Sequence, residues 1–486
     1  MSTEKASSSQ SIDSSLAAAA EDHALESVPE HDRRSGFQLS LSPVSVATAL
    51  VIFAISGFAV VLAGFKMGMI AAVIVTIIGV LFGKYLGTIT YETGLSSTLT
   101  SRYFGFGFKG SAVGSAIFAF MILGFLAMES ALLYEGTLLM FDLEDNWTTR
   151  ILLYGALTIA WIALAIFGLK LALRSSAVMI IITIAVALYL VYEIYFVQGV
   201  DPMNVFGFPG VVEGGNWEKI QAALGVSGAT AGTIALVTTD FARYARSDRD
   251  VTILALSGPV TQNIIMTVLG SLIVIGGMPT VADYLMARNA GMSPQEASEM
   301  ASIFVMENTG AFFVIFAGWL GFITIYASQA KAQAINAYSG SLSLVNLVDA
   351  LTGWKPGRAW MVVVGNIIAL VMIAAGILGA FAQYLAYLGT LTLSMVAIMM
   401  ADYYFVRKRQ VDLASQRVEV WNWAGLLTLL ISAAIGFVLM GTGIMPLGFF
   451  LSFVIAIILY PILRKAMPEG AGTKFASDKD VLEEAV

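Results

Sequence analysis

The chain has 486 residues, 58% of them hydrophobic and 12% charged, and its mean hydropathy is +0.82. Soluble domains carry about 25% charged and about 45–50% apolar residues, so this composition excludes a water-soluble globular protein. The formal charge of −7 argues against a nucleic-acid partner, and the absence of Cys removes disulfides, thiolate catalysis and Cys-ligated zinc. Its two His residues, His23 and His31, precede the first apolar run, so no buried imidazole is expected to hold a metal or relay protons. A polytopic membrane protein, with the lipid bilayer as its solvent and no cofactor, is what remains.

Residues 1–43 are rich in Ser, Ala, Glu and Asp and have neither the basic start nor the apolar core of a secretory signal. They predict a disordered tail, as does the polar stretch 466–486. A membrane helix needs about 20 mostly apolar residues. Runs of that kind predict twelve spans, near 44–65, 68–90, 112–140, 150–169, 176–197, 220–240, 253–277, 311–340, 359–376, 380–404, 423–441 and 445–464. With a cytoplasmic amino terminus, sixteen Lys and Arg fall at inside loops and helix ends. Only Lys66, Arg150, Lys219 and Arg288 fall outside. The positive-inside rule then places both termini in the cytoplasm, most naturally at a bacterial inner or plasma membrane.

The two longest non-spanning stretches, 91–111 and 278–310, each follow the second helix of a five-helix set and lie on opposite sides. That placement is what an inverted repeat produces. It divides the chain into a core at 44–404 (repeats at about 44–197 and 220–404), two additional helices at 405–465, and the tails. The first helix of each set carries an apolar run interrupted by small residues: Ser56-Gly57 in the first, Gly228-Ala229-Thr230-Ala231-Gly232 in the sixth. Paired interruptions at membrane depth free backbone groups for substrate and ion, which makes Ser56 and Gly57 candidate substrate-site residues. Glycine also packs membrane helices closely, and that alternative stays open.

Four motifs then occur in order: Glu92-Thr93-Gly94-Leu95 through Ser101-Arg102-Tyr103-Phe104-Gly105 and Lys109-Gly110; Thr239-Asp240-Phe241-Ala242-Arg243-Tyr244; Tyr338-Ser339-Gly340; and Ala401-Asp402-Tyr403-Tyr404. Together they resemble the nucleobase–cation symporter-1 family, in particular its purine–cytosine permease branch, over about residues 44–465. The resemblance implies an all-α LeuT-like fold, with ten core helices in a 5+5 inverted repeat, discontinuous helices 1 and 6, and two extra C-terminal helices. It also implies cation-coupled uptake of a small nitrogen heterocycle.

Ionisable side chains inside the bilayer are costly and usually functional. Glu129 lies mid-way along the third span, one turn after Phe125 on the same face. A ring can stack on a flat heterocycle and a carboxylate can accept from its N–H groups. The resemblance matches these two positions to a stacking Trp and an amide. Glu in place of the amide points to a more cationic substrate or to a protonation site. In the sixth span Thr230 and Thr233 match two Ser ligands, although Thr also bonds its own backbone, and Ala231 stands where the branch has a second ring. In the eighth span Ser328, Lys331 and Ala332 fall on the family's sodium-ligand positions, and Gln333 matches a substrate-side Asn.

Lys331 is the sharpest departure, because sodium needs oxygen donors and an ammonium has none. Two readings are open. Lys331 is a buried surrogate for the cation, giving sodium-independent transport in which Lys331 and Glu129 carry the proton step, or it snorkels to the cytoplasmic interface.

The expected function is secondary active import of a nucleobase-like heterocycle by alternating access, with H+ favoured over Na+. The alternative substrate is a cationic heterocycle or vitamin precursor. No catalytic motif or selectivity-filter repeat supports an enzyme or a channel, and no obligate protein partner is evident. Gly105-Phe106-Gly107-Phe108-Lys109-Gly110 fits the dinucleotide-binding pattern but follows no strand.

Overall fold

The computed structural model describes residues 27–476 except 168, 290, 411–412 and 414–416, so the predicted tail segments 1–26 and 477–486 lie outside the described residues. Among the described residues there is no strand, only isolated bridges at Arg34–Ala245 and Glu419–Phe475. Among the described residues ten helices are long and apolar enough to cross a membrane, and a bent pair, α1 (Gly36–Ala47) with α2 (Leu50–Ala63), makes up to eleven if counted as one span. The others in chain order include α3 (Phe65–Thr93), the short α4 (Ser97–Ser101), α5 (Ser111–Phe141), α6 (Trp147–Phe167) and α7 (Leu169–Tyr192). Next come α8 (Asn216–Ser227), α9 (Thr230–Ala242), α10 (Asp248–Pro259), α11 (Met266–Arg288), α12 (Pro294–Glu307) and α13 (Thr309–Thr352). Last are α14 (Arg358–Ala374), α15 (Phe381–Met400), α16 (Trp423–Gly441) and α17 (Gly448–Ala466). At 17 residues α14 is the shortest counterpart of a predicted span.

Packing sorts these helices into two sub-bundles. In one, α1 packs on α10, α2 on α11 and α8, and α3 on α9 and α10; in the other, α13 is the common wall for α5, α7 and α14. α15, α16 and α17 form a further layer. Large apolar side chains remain exposed along α6 (Ile151, Leu152, Ile159), α7 (Ile181, Leu188), α16 (Leu430, Val438) and α17 (Val454, Ile458, Ile462). Bands of that size are stable only against hydrocarbon.

Several expected boundaries move. The first span begins at Gly36 rather than near 44, so residues 36–43 are helical and not tail. The stretch at 91–111 contains α4 and a π-type turn at Arg102–Phe106, all buried. The stretch at 278–310 continues α11 and adds α12, which starts on a capping box between Ser293 and Glu296. The C-terminal segment folds back, with Val420 N donating to Lys474 O and Ala476 N to Val418 O, so residues 469–476 are ordered against the body.

The main correction concerns the first interruption. It sits at Thr48–Ala49, where the axis bends by 64°, and not at Ser56-Gly57. Pro43 removes one backbone donor from α1, and Thr48 Oγ1 donates back to Val44 O at 2.9 Å, competing with the helical ladder. Gly57 serves close packing instead. A Cβ there would meet Val274 Cγ2 at 2.8 Å, and the backbone of Gly270 on α11 lies alongside. Ser56 Oγ donates to Gln262 O at 3.3 Å in a π-type turn after α10. Gly57→Leu is therefore expected to push α2 off α11 and cost about 1–3 kcal/mol, read as a lower unfolding temperature of the detergent-solubilised protein. Ser56→Ala, losing one long hydrogen bond, costs less than about 1.5 kcal/mol.

Candidate functional site

Bending the chain at Thr48–Ala49 strands backbone acceptors. In a regular helix Ala49 N would donate to Ser45 O and Ile52 N to Thr48 O. Here Ala49 N goes to Val46 O and Ile52 N to Ala49 O, both at 3.1 Å, which leaves Ser45 O and Thr48 O without helical donors. Two side chains from α13 fill them. Lys331 Nζ donates to Ser45 O at 2.8 Å, Thr48 Oγ1 at 2.7 Å and Thr48 O at 3.3 Å, and Ser328 Oγ donates to Thr48 O at 2.8 Å. Lys331 is fully buried and does not snorkel. An ammonium has three donors, and all three have acceptors here. The contact spans the two sub-bundles, α1–α2 on one side and α13 on the other.

A second face of α13 meets α5. Gln329, Gln333 and Asn336 recur at helical spacing and point at the turn carrying Glu129. Gln333 Nε2 donates to Leu126 O and to Ser130 Oγ, both at 2.9 Å, and Asn336 Nδ2 donates to Gln333 Oε1 at 3.3 Å and Glu129 Oε2 at 3.4 Å. Gln329 Nε2 reaches Glu129 O at 3.5 Å, and Trp161 Nε1 from α6 donates to Ser130 Oγ at 3.2 Å. Glu129 is 1% exposed, and no ion pair within 4 Å joins it to Lys331 among the described residues.

Phe125, one turn before Glu129, meets the ring of Tyr384 from α15 edge-on with centroids 6.0 Å apart. The Tyr384 hydroxyl donates to Met121 O at 2.6 Å, in a slot that exists because residue 124 is Gly: a Cβ there would lie 2.3 Å from that hydroxyl.

The sixth-span residues behave differently. The interruption between α8 and α9 at Gly228–Ala229 keeps right-handed helical dihedrals and causes no large bend. Thr230 Oγ1 donates to Ser227 O at 2.6 Å and Thr233 Oγ1 to Ala229 O at 3.4 Å, so both hydroxyls are engaged by their own helix. The structure thus gathers Phe125, Glu129 and Gln333 at one cluster and Ser328 with Lys331 at an adjacent one. It leaves Ser56, Gly57, Thr230 and Thr233 outside both networks.

The sequence reading missed Thr48, Ser45, Gln329, Ser130, Trp161 and Tyr384. Gln329 alone carried a usable signal, as the i−4 neighbour of Gln333 on the same face.

A separate set of buried charges latches helix ends together. Arg102 pairs with Asp349, both 2% exposed, and Asp240 accepts from Ser97 N at 3.0 Å and Ser97 Oγ at 2.7 Å. Arg243 Nη2 donates to Tyr338 OH at 3.1 Å. Asp402 accepts from Gly105 N at 2.8 Å and faces Arg407, while Arg464 pairs with Glu419 at 2.6 Å. The family-like motifs therefore sit in this latch and not at the Glu129 cluster. The glycines of the dinucleotide-like pattern belong to it too, through Gly105.

Residues 27–457 match a family described as permeases for cytosine and purines, uracil, thiamine and allantoin. No curated protein matches the chain in sequence. Among solved structures the fold is similar to Mhp1 in its inward-facing conformation, with TM-score 0.65, 16% identity, and 92% of this chain and 95% of that one covered. It is also similar to Mhp1, a nucleobase-cation-symport-1 family transporter, in a closed conformation with bromovinylhydantoin bound (TM-score 0.64, 17% identity, coverage 94% and 98%). A Na+-coupled sialic acid symporter in a substrate-bound outward-open state scores 0.64 at 12% identity, with 92% of each chain covered. The architecture is the LeuT-like one that the sequence motifs implied.

Proposed function

Because the chain belongs to the family of permeases for cytosine and purines, uracil, thiamine and allantoin, we propose that it imports a nucleobase-like nitrogen heterocycle by proton-coupled, sodium-independent symport. It is a membrane transporter and not an enzyme. The observation that carries the coupling part is the Lys331 ammonium on the stranded carbonyls of Ser45 and Thr48. A fixed cation there supplies the charge that a bound sodium ion would bring, and it holds α13 to the α1–α2 break without a diffusible metal.

Phe125 offers a ring to a flat substrate and Glu129 an acceptor for its N–H groups, with Gln333 bracing the turn between them. Thr230, Thr233, Ser56 and Gly57 act by packing their helices. Glu129 and Lys331, the two buried charges of the site, carry the proton step. Both termini face the cytoplasm of a bacterial inner or plasma membrane, following the distribution of Lys and Arg. A cationic heterocycle or vitamin precursor is the second reading, favoured by the absence of a direct basic partner for Glu129 among the described residues.

Uptake of labelled cytosine into proteoliposomes in sodium-free buffer, with and without an imposed inward proton gradient, tests the proposal. Saturable, gradient-driven accumulation is expected. Uptake that requires sodium would overturn the coupling, and no uptake of cytosine under either ion would shift the substrate to the cationic class.

A further inference from the structure

Residues 469–476 lie beyond the stretch that matches the permease family, residues 27–457. They follow α17 and return to the linker between α15 and α16. Val420 N donates to Lys474 O and Ala476 N to Val418 O, both at 2.8 Å, which sets Glu419 opposite Phe475 in an antiparallel bridge. Glu419 fixes this arrangement with both carboxylate oxygens. Its Oε2 accepts from Arg464 Nη2 of α17 at 2.6 Å, and its Oε1 accepts from Gly470 N at 2.7 Å. Glu469 reaches Arg407 at 3.0 Å, and the Arg417 guanidinium lies 4.7 Å from the centroid of the Phe475 ring.

The other edge of the linker carries the loop that follows α4. Phe108 N donates to Glu419 O at 2.7 Å and Lys109 N to Val420 O at 2.9 Å, while Asn422 N donates back to Phe106 O at 2.9 Å. Loop, linker and C-terminal segment therefore lie side by side, joined through main-chain groups. Pairing of this kind draws its hold from the backbone, so a segment added at the edge can fasten what lies beneath it.

What lies beneath bears on the transport cycle. The loop starts from α4, and α4 with its neighbour Arg102 is tied to both sub-bundles. Ser97 donates to Asp240 near the end of α9, and Arg102 pairs with Asp349 near the end of α13. Alternating access moves one sub-bundle against the other, so this stretch has to yield at one tie or the other in each cycle. Fastened to the linker, and through Glu419 to α17, the loop resists that step.

We infer that residues 469–476 are a strap that restrains the transport cycle, and that unseating them speeds it. The inference rests on the transport reading above. Among the described residues no hydrogen bond or ion pair joins the strap to Phe125, Glu129 or Lys331. The strap therefore acts on the rate of the cycle and leaves the affinity for substrate unchanged.

The chain has no Cys, so Glu419→Cys with Phe475→Cys makes a strap that can be locked and released in one protein. The two residues form a non-hydrogen-bonded antiparallel pair, whose usual Cα separation of about 4.5 Å is within the reach of a disulfide. Initial uptake of labelled cytosine into proteoliposomes is expected to rise about fivefold or more when that disulfide is reduced, with KM unchanged. Loss of the Glu419 carboxylate is common to both states and cancels in the ratio. The second measurement is maleimide labelling of Thr100→Cys, a buried position on α4, in the full-length chain and in a chain ending at Pro468. Labelling is expected to quicken in the shortened chain. Equal uptake in the two redox states overturns the restraint, and equal labelling in the two chains overturns the strap's hold on α4. Absence of cytosine uptake by the wild-type protein refutes the transport reading instead, and labelling then decides the strap without it.

Discussion

Lys331→Met is expected to abolish proton-driven uptake, lowering the initial rate by about tenfold or more, with no rescue by sodium. Methionine keeps the bulk of the side chain but removes the ammonium from Ser45 O and Thr48 Oγ1, while Thr48 O keeps its bond from Ser328 Oγ. A buried acceptor that loses its strong donor costs about 1–3 kcal/mol, and about 1.4 kcal/mol is tenfold in an equilibrium. Lys331→Ser is the informative companion. It restores an oxygen, and the break then presents hydroxyl and carbonyl oxygens alone, the donor type sodium takes. Uptake by that variant is expected to become sodium-stimulated. Initial rates in proteoliposomes at fixed pH, with sodium replaced by choline, distinguish the outcomes, and an unchanged Lys331→Met rate removes Lys331 from the coupling.

Asp349→Ala is expected to produce the largest loss of stability. Arg102 and Asp349 are each 2% exposed, so removing the carboxylate takes a directly paired negative charge away from a buried guanidinium. Breaking a buried pair from one side costs about 3–5 kcal/mol, whereas replacing both partners by apolar residues is often neutral. Thermal unfolding in detergent should therefore show a large drop for Asp349→Ala and substantial recovery for Arg102→Met with Asp349→Leu. A surface pair such as Arg150 with Asp145, at 2.5 Å but with both side chains about half exposed, sets the contrast. Its removal is expected to change stability by less than about 1 kcal/mol.

The spans were legible because lipid demands long apolar runs, and each of the twelve predicted has a helical counterpart. Lys331 and Ser328 were legible as well, since counting along a helix fixes which side chains share a face. The interruption of the first span was not. Glycine is the conspicuous small residue at Ser56-Gly57, but its use there is to let Val274 and Gly270 approach. The actual break depends on Thr48 diverting its hydroxyl to the preceding carbonyls, and no composition signal separates that from an ordinary membrane threonine. Thr230 and Thr233 are ambiguous in the same way, since each hydroxyl donates to a carbonyl of its own helix. Partners such as Trp161 and Tyr384 come from helices far along the chain, and only tertiary packing brings them to α5.

The two polar faces of α13 belong to one rod. Beyond the non-helical Gly318, the helix runs unbroken to Thr352. At about 100° per residue, Ser328 and Lys331 lie roughly a third of a turn around the axis from Gln329, Gln333 and Asn336. The ammonium is therefore fastened to α1–α2 and the amides to α5 by the same stiff element, and neither set can shift alone. A small roll of α13 that draws the amides toward a ligand turns Lys331 relative to its carbonyls by the same angle. Torque along one cylinder, with no chain of intermediary contacts, is enough to make occupancy at one station felt at the other.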